Sequence, residues 1–157
     1  MLRATSRLSA DHGRGIPFDL IVLAADERRI RRKLLTLTHG DEVLVDFPEA
    51  TTLENRDVLV LEDGRLVEII AADEYVYEIT ARDSEHLAKL AWHLGNRHLP
   101  AQIEKGRIII ARDHVIKDML IGLGATVTEV SEPFFPEHGA YHGHSHGDNT
   151  HALLNRK

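Results

Sequence analysis

The chain has 157 residues, enough for one domain or two small ones, and its 43% apolar and 28% charged residues are typical of a globular protein. The net charge of −6 argues against a general nucleic-acid binder. The absence of cysteine excludes disulfides, iron–sulfur clusters and thiol catalysis. No apolar run reaches the length of a signal peptide core or a membrane span, so we expect a cytoplasmic protein that does not bind membranes.

The first part of the chain, residues 1–73, carries the pattern of a β-rich domain. Runs rich in apolar and β-forming residues occur at 18–24 and 43–47. Two further runs, within 58–70, flank an Asp-Gly pair that suits a tight hairpin turn. Short strands separated by turns, without convincing helices, indicate a small β sandwich or barrel.

A basic stretch at residues 27–33 (ERRIRRK) has five positive side chains among seven residues, and two interpretations are open. It could form a nucleic-acid-binding patch, since some folds bind RNA through positive charge and exposed aromatic residues. It could instead be a solvated or edge strand, whose charges discourage pairing with other chains. The acidic flanking sequence and the 5% aromatic content favour the edge strand.

Residues 74–136 alternate between strand and helix patterns. Their order, strand–helix–strand–strand–helix–strand, is that of a ferredoxin-like domain. The predicted fold class is therefore α+β, with the β-rich domain first and the ferredoxin-like domain second. The expected elements are a strand at 75–81, a helix capped by Asp83 or Ser84 and ended by Gly95, strands at 102–104 and 107–112, a helix capped by Asp113 and ended by Gly122 and Gly124, and a strand at 125–130.

The last part, residues 137–157, is rich in glycine and histidine and lacks apolar periodicity, which is typical of a flexible tail. Its histidines have the spacing H-x3-H-x-H-x-H-x4-H, and the glycines between them would let several imidazoles surround one ion. Imidazole suits zinc, copper and nickel. A purification tag is the bland alternative, but the histidines are not consecutive and ordinary sequence follows. We predict metal binding by His138, His142, His144, His146 and His151.

A second candidate site is the loop at 95–100 (GNRHLP), which contains His98. A lone loop histidine is usually an ordinary surface residue, but the two-fold axis of a homodimer would bring two copies of His98 together. His114 follows the predicted cap of the second helix and is either a surface residue or a further ligand. No catalytic motif is present, so we do not expect an enzyme. No role is assigned to three histidines that look isolated, His12, His39 and His86.

The motifs in the second part of the chain resemble the signature of the UreE family, the urease accessory nickel chaperones. The matching run is 92–100 (WHLGNRHLP), followed by 111–115 (ARDHV) and 118–120 (DML). The similarity continues through 133–141 into the histidine-rich end. The β-rich first part is compatible with the family in length and pattern but has no equally sharp motif.

The resemblance implies a homodimer formed through the second domain, with His98 binding Ni²⁺ at the dimer interface and tail histidines joining it. Zn²⁺ or Cu²⁺ can bind the same kinds of site. It also implies delivery of nickel to the urease apoprotein with a UreG-type GTPase, and a first domain that engages protein partners. Some members pair the histidine at the His114 position with a histidine two residues earlier, where this chain has Arg112. The alternative is a nickel or zinc buffer or storage protein that relies on the tail.

Overall fold

The computed structural model describes residues 1–139, in which Met1–Ala71 and Ala72–Glu137 form two compact units. The first unit is built from strands, with one short 3₁₀ turn at Ala25–Glu27. The second unit combines a four-stranded sheet with two helices. This is the predicted α+β class. Across the described range, none of the helices has the length and apolar character needed to span a bilayer.

The first unit is one mixed sheet of six strands in the order β2-β6-β5-β1-β4-β3. The β1–β4 and β2–β6 pairs are parallel, and the other neighbours are antiparallel. Alternate residues of the fourth strand are buried, because one face of the sheet lies against the core. The strands are β1 (Leu2–Leu8), β2 (Asp19–Leu23), β3 (Arg29–Thr36), β4 (Glu42–Thr52), β5 (Val58–Leu61) and β6 (Leu66–Ala71).

The sheet curls, so that its two edge strands approach each other at one end. The Thr38 amide, just after β3, donates a hydrogen bond of 3.0 Å to the carbonyl of Leu20 in β2. The arrangement is closer to the predicted barrel than to the predicted sandwich. The hairpin predicted within 58–70 is confirmed as β5 and β6. By contrast, β1 lies outside the predicted strands, because four of its seven residues are polar.

The basic stretch forms most of β3, which lies at one edge of the sheet, as the edge-strand interpretation predicts. Two of its arginines share one carboxylate with an arginine of β1. The guanidinium nitrogens of Arg3, Arg31 and Arg32 lie 2.7, 4.0 and 3.5 Å from the carboxylate of Asp46 on β4. One largely buried carboxylate therefore brings three arginine side chains together on this side of the sheet.

The second unit has the predicted ferredoxin-like topology. Its sheet has the order β10-β7-β9-β8 with every neighbouring pair antiparallel. Leu90 and Leu94 of the first helix and Leu120 of the second are buried against the sheet residues Ile79 and Ile108. The elements are β7 (Asp73–Thr80), α1 (Ser84–Asn96), β8 (Ala101–Glu104), β9 (Arg107–Ala111), α2 (His114–Gly122) and β10 (Thr126–Pro133).

Candidate metal centre

The candidate ligand His98 is the residue that terminates helix α1. The amide of His98 donates to the carbonyl of Gly95 at 3.0 Å, and the amide of Leu99 donates to the carbonyl of Leu94 at 3.3 Å. This pair of bonds is a Schellman motif, whose C′ residue must take the left-handed conformation. His98 occupies that position with φ 57°. The prediction that Gly95 ends the helix is wrong, because the helix continues to Asn96.

Helix α2 ends in the same way and provides an internal comparison. The amide of Gly124 donates to the carbonyl of Ile121 at 2.9 Å, and the amide of Ala125 donates to Leu120 at 3.0 Å. The left-handed residue there is glycine, with φ 87°, as is usual for a helix C-terminus. The two motifs match except that one has glycine and the other has His98. Helix termination therefore does not explain the histidine.

The His98 side chain is exposed, so burial does not explain its position either. A residue with a Cβ atom in the left-handed region costs roughly 1–2 kcal/mol relative to a right-handed conformation, although histidine is among the residues found there more often than most. Such local strain tends to persist where a side chain has a function. The conformation thus supports His98 as a functional residue independently of any sequence motif.

The chain leading to the histidine-rich tail returns to the same region as His98. After β10 at one edge of the sheet, the amide of Phe135 donates to the side-chain oxygen of Gln102 at 2.8 Å. The amide of Glu137 then donates to the carbonyl of Ala101 at 2.8 Å. Both acceptors belong to β8, the opposite edge strand. Ala101 is three residues from His98, and the hydrogen-bonded backbone of Glu137 adds about 5 Å, so the tail begins within about 15 Å of the His98 backbone.

The tail histidines lie mostly beyond the part of the chain that the structure describes. His142, His144, His146 and His151 are outside the described residues. His138 is described, and its Nε2 atom lies 4.0 Å from a carboxylate oxygen of Glu54. Within residues 1–139, no three or more His, Asp or Glu side chains are grouped so as to hold a metal ion.

His114 is exposed at the first residue of α2, where Asp113 caps the helix by accepting hydrogen bonds from the amides of Val115 and Ile116. Arg112 is held in place by the sheet. It donates to the carbonyls of Val76 and Val130 at 3.1 and 3.0 Å, and its guanidinium lies 5.1 Å from the Tyr75 ring centroid. Arg112 thus holds the two neighbouring strands together, and metal binding by His114 stays a prediction.

The single tryptophan of the chain lies one turn from the end of α1. Trp92 is 64% exposed, and its ring meets that of His93 edge-to-face with the centroids 5.0 Å apart. Arg97 extends from the helix end to the carbonyl of His93, with 3.4 Å between donor and acceptor. A large exposed aromatic residue next to the His98 loop can report on ligand binding or burial of this surface.

Two histidines without an assigned role are not isolated in the structure. His86 is buried, accepts a hydrogen bond from the Arg82 amide and donates one to the Leu123 carbonyl, so it ties α1 to the end of α2. His39 is exposed, and its Nδ1 lies 2.7 Å from the buried carboxylate of Asp19. His39 and Asp19 are 20 residues apart in the sequence, and no sequence pattern indicates that they are in contact.

Comparison with known proteins identifies the family. The model for the N-terminal domain of UreE urease accessory protein matches residues 3–72, and that for the C-terminal domain matches residues 74–155. The chain belongs to the UreE family. A relative named urease accessory protein UreE, from Mesorhizobium japonicum, is 62% identical over 142 residues, which cover 90% of this chain and 72% of the relative.

Two further relatives carry the same name. The protein from Rhizobium rhizogenes is 57% identical over 149 residues, covering 93% of this chain and 89% of its own length. The protein from Rhizobium meliloti is 55% identical over 146 residues, covering 93% and 95%. These names describe accessory proteins and not enzymes, in agreement with the prediction from the sequence.

Proposed function

We propose that this chain is a cytoplasmic nickel metallochaperone, which binds Ni²⁺ as a homodimer and delivers it to the urease apoprotein while the metallocentre of that enzyme is assembled. Its relatives are named urease accessory proteins, which supports a role in urease maturation. The observation that carries the nickel-binding part is the exposed left-handed His98, next to the point where the histidine-rich segment begins. Nickel is the cargo, and a UreG-type GTPase is the expected partner in its transfer.

Chain length supports cooperation between His98 and the tail. Glu137 is fixed beside Ala101, and the five residues from there to His142 can extend at most about 17 Å. The next two tail histidines extend the reach to about 30 Å. Imidazoles from the tail can therefore reach the His98 loop of the same chain or of a partner copy across a two-fold axis. The ligand set would be two His98 side chains supplemented by tail histidines.

Calorimetric titration with Ni²⁺ tests the proposed site. Wild-type protein should show a tight phase with one ion per two chains, and His98→Ala should remove it while the weaker phases remain. His12→Ala is the matched control, because it removes a partly exposed histidine of the first unit but should keep the tight phase. A tight phase that survives in His98→Ala would contradict the assignment.

A chain ending at Gly139 separates a chaperone from a tail-based buffer. This variant keeps the bond between Glu137 and Ala101 but loses four tail histidines. A chaperone should retain its tight interfacial phase, whereas a nickel or zinc buffer would lose nearly all binding.

Binding of Ni²⁺ to the full chain should weaken as the pH falls through ~6.5, because only deprotonated imidazole binds the ion.

Delivery itself is tested by activating urease apoprotein under limiting nickel, with a UreG-type GTPase present. Nickel-loaded wild-type chain should raise urease activity above that obtained with the same amount of free nickel and a competing chelator. The His98→Ala chain should not. Equal activation by both chains would show that the tail alone suffices for transfer.

A further inference from the structure

The pair formed by His39 and Asp19 is a second place in the molecule with the chemistry of a metal ligand. It belongs to the first unit and involves none of the residues of the His98 loop. The Asp19 side chain is 1% exposed, while that of His39 is 74% exposed. One oxygen of the carboxylate accepts from the His39 ring at 2.7 Å and from the Leu20 amide at 2.7 Å, and the other accepts from the His39 amide at 3.1 Å.

This geometry fixes which ring nitrogen of His39 carries the proton. Both oxygens of the Asp19 carboxylate already accept hydrogen bonds from backbone amides, one from Leu20 and the other from His39, and these bonds favour the ionised form. Asp19 is therefore a carboxylate at neutral pH and can only accept. The Nδ1 atom of His39 must be the donor, which leaves the lone pair of the neutral ring on the exposed side, at Nε2.

Two other histidines do not present an exposed, unprotonated ring nitrogen in this way. The Nδ1 atom of His12 accepts a hydrogen bond of 2.9 Å from the Arg14 amide, so its neutral ring carries the proton at Nε2. Both ring nitrogens of the buried His86 are used in hydrogen bonds within the fold. A metal ion would have to break existing bonds or shift a proton at either ring. In the neutral ring of His39, the exposed Nε2 atom carries no proton and can coordinate an ion directly.

We propose that His39, oriented by Asp19, is an auxiliary ligand for a divalent metal ion on the first unit. A carboxylate behind a histidine fixes the ring orientation, selects the tautomer and raises the basicity of the coordinating nitrogen, and this arrangement accompanies most protein-bound metal imidazoles. The His39 ring is 74% exposed, so that water can complete the coordination of a bound ion.

The pair also closes the sheet, and this structural role must be separated from metal binding. The His39 ring and amide, with the neighbouring bond from Thr38 to Leu20, hold the end of β3 to β2. The substitution His39→Asn keeps an amide donor near the position of Nδ1 but has no atom equivalent to Nε2. It should keep the contact with Asp19, and so the unfolding temperature, while removing the metal ligand.

The test uses long-range ¹H–¹⁵N spectra of the full chain, first without metal and then during titration with Zn²⁺ alone, which is diamagnetic. Without metal, the neutral ring of His39 should carry its proton on Nδ1 and that of His12 on Nε2. Zn²⁺ should shift the Nε2 signal of His39 at a concentration at least tenfold below that needed for His12. The shift should persist in His98→Ala, which makes the result independent of the proposed nickel site.

Three outcomes decide the proposal. Loss of one weak Zn²⁺ equivalent in His39→Asn, with His12→Asn unchanged as the control, supports it. Asp19→Asn should weaken the His39 response by about tenfold, the effect typical of losing a carboxylate behind a metal-bound histidine. A His39 ring that carries its proton on Nε2, or that responds to Zn²⁺ no earlier than His12, overturns the proposal.

Discussion

The substitution His98→Gly separates the cost of the His98 conformation from its function. His98 occupies the left-handed C′ position of a Schellman motif, where Gly124 stands in the corresponding motif of α2. If the fold alone determined which residue stands at position 98, glycine would be preferred there. We therefore expect His98→Gly to make the metal-free protein at least as stable as the wild type, while abolishing tight nickel binding.

The magnitude follows from two opposing terms. A Cβ atom in the left-handed region costs roughly 1–2 kcal/mol, and glycine avoids this cost. Glycine also loses more backbone entropy on folding, which destabilises the variant by about 0.4–1 kcal/mol. The net gain of His98→Gly should be about 0.5–1 kcal/mol. His98→Ala keeps the Cβ atom and gains nothing, and alanine is less common than histidine in the left-handed region, so the expected order of stability is glycine, then histidine, then alanine.

Urea unfolding of the metal-free variants, followed by the fluorescence of Trp92, measures this difference. Trp92 is the only tryptophan and lies on α1, so its signal reports the unit that contains the substitution. In a domain of this size, 1 kcal/mol corresponds to a shift of roughly 4–8 °C in melting temperature, which a parallel thermal scan resolves. Equal or lower stability of His98→Gly relative to His98→Ala would refute the argument from strain.

Three further predictions concern the residues that support the fold. Gly124→Ala should lower the free energy of unfolding by about 1–2 kcal/mol, because φ is 87° there, and a urea titration measures the loss. Arg107→Gln should cost about 1 kcal/mol at neutral pH, because three glutamates contact this arginine. The loss should shrink in acid, since Arg107 lowers the pKa of Glu104 and that contribution disappears as Glu104 is protonated. The pKa of Asp19 is also lowered, so its ionised form stabilises the fold at pH values above the unfolded pKa, and this stability is lost as the pH falls. The urea midpoint of Asp19→Asn should therefore depend less on pH between about 2.5 and 6 than that of the wild type.

The elements of the second unit could be predicted because their signals are local. Asp83 and Asp113 both cap helices, each accepting hydrogen bonds from amides of the first turn. β8 and β9 lie where strands are predicted at 102–104 and 107–112, and Lys105-Gly106 forms the turn between them. Each of these signals involves residues close in sequence, whose geometry is determined by short-range hydrogen bonding and periodicity.

Features that depend on distant contacts could not be predicted. β1 is a central strand, but four of its seven residues are polar and only Ala4 is fully buried, so its apolar pattern is weak. The bond between His39 and Asp19 exists because the sheet curls and brings its edges together. The return of Glu137 to the edge strand β8, which brings the tail close to His98, depends on the strand order of the whole sheet.

The structure also explains which residues of the loop motif serve the fold. Leu94 and Leu99 occupy the C3 and C″ positions of the Schellman motif and pack in the same core cluster. Pro100 follows where the helix can no longer continue, as prolines often do after a helix end. Each of these residues favours helix termination at this point. His98 alone opposes it, since its position favours glycine. The other residues of the motif have conformational preferences that match the local structure, and His98 does not. A binding function is therefore best proposed for His98.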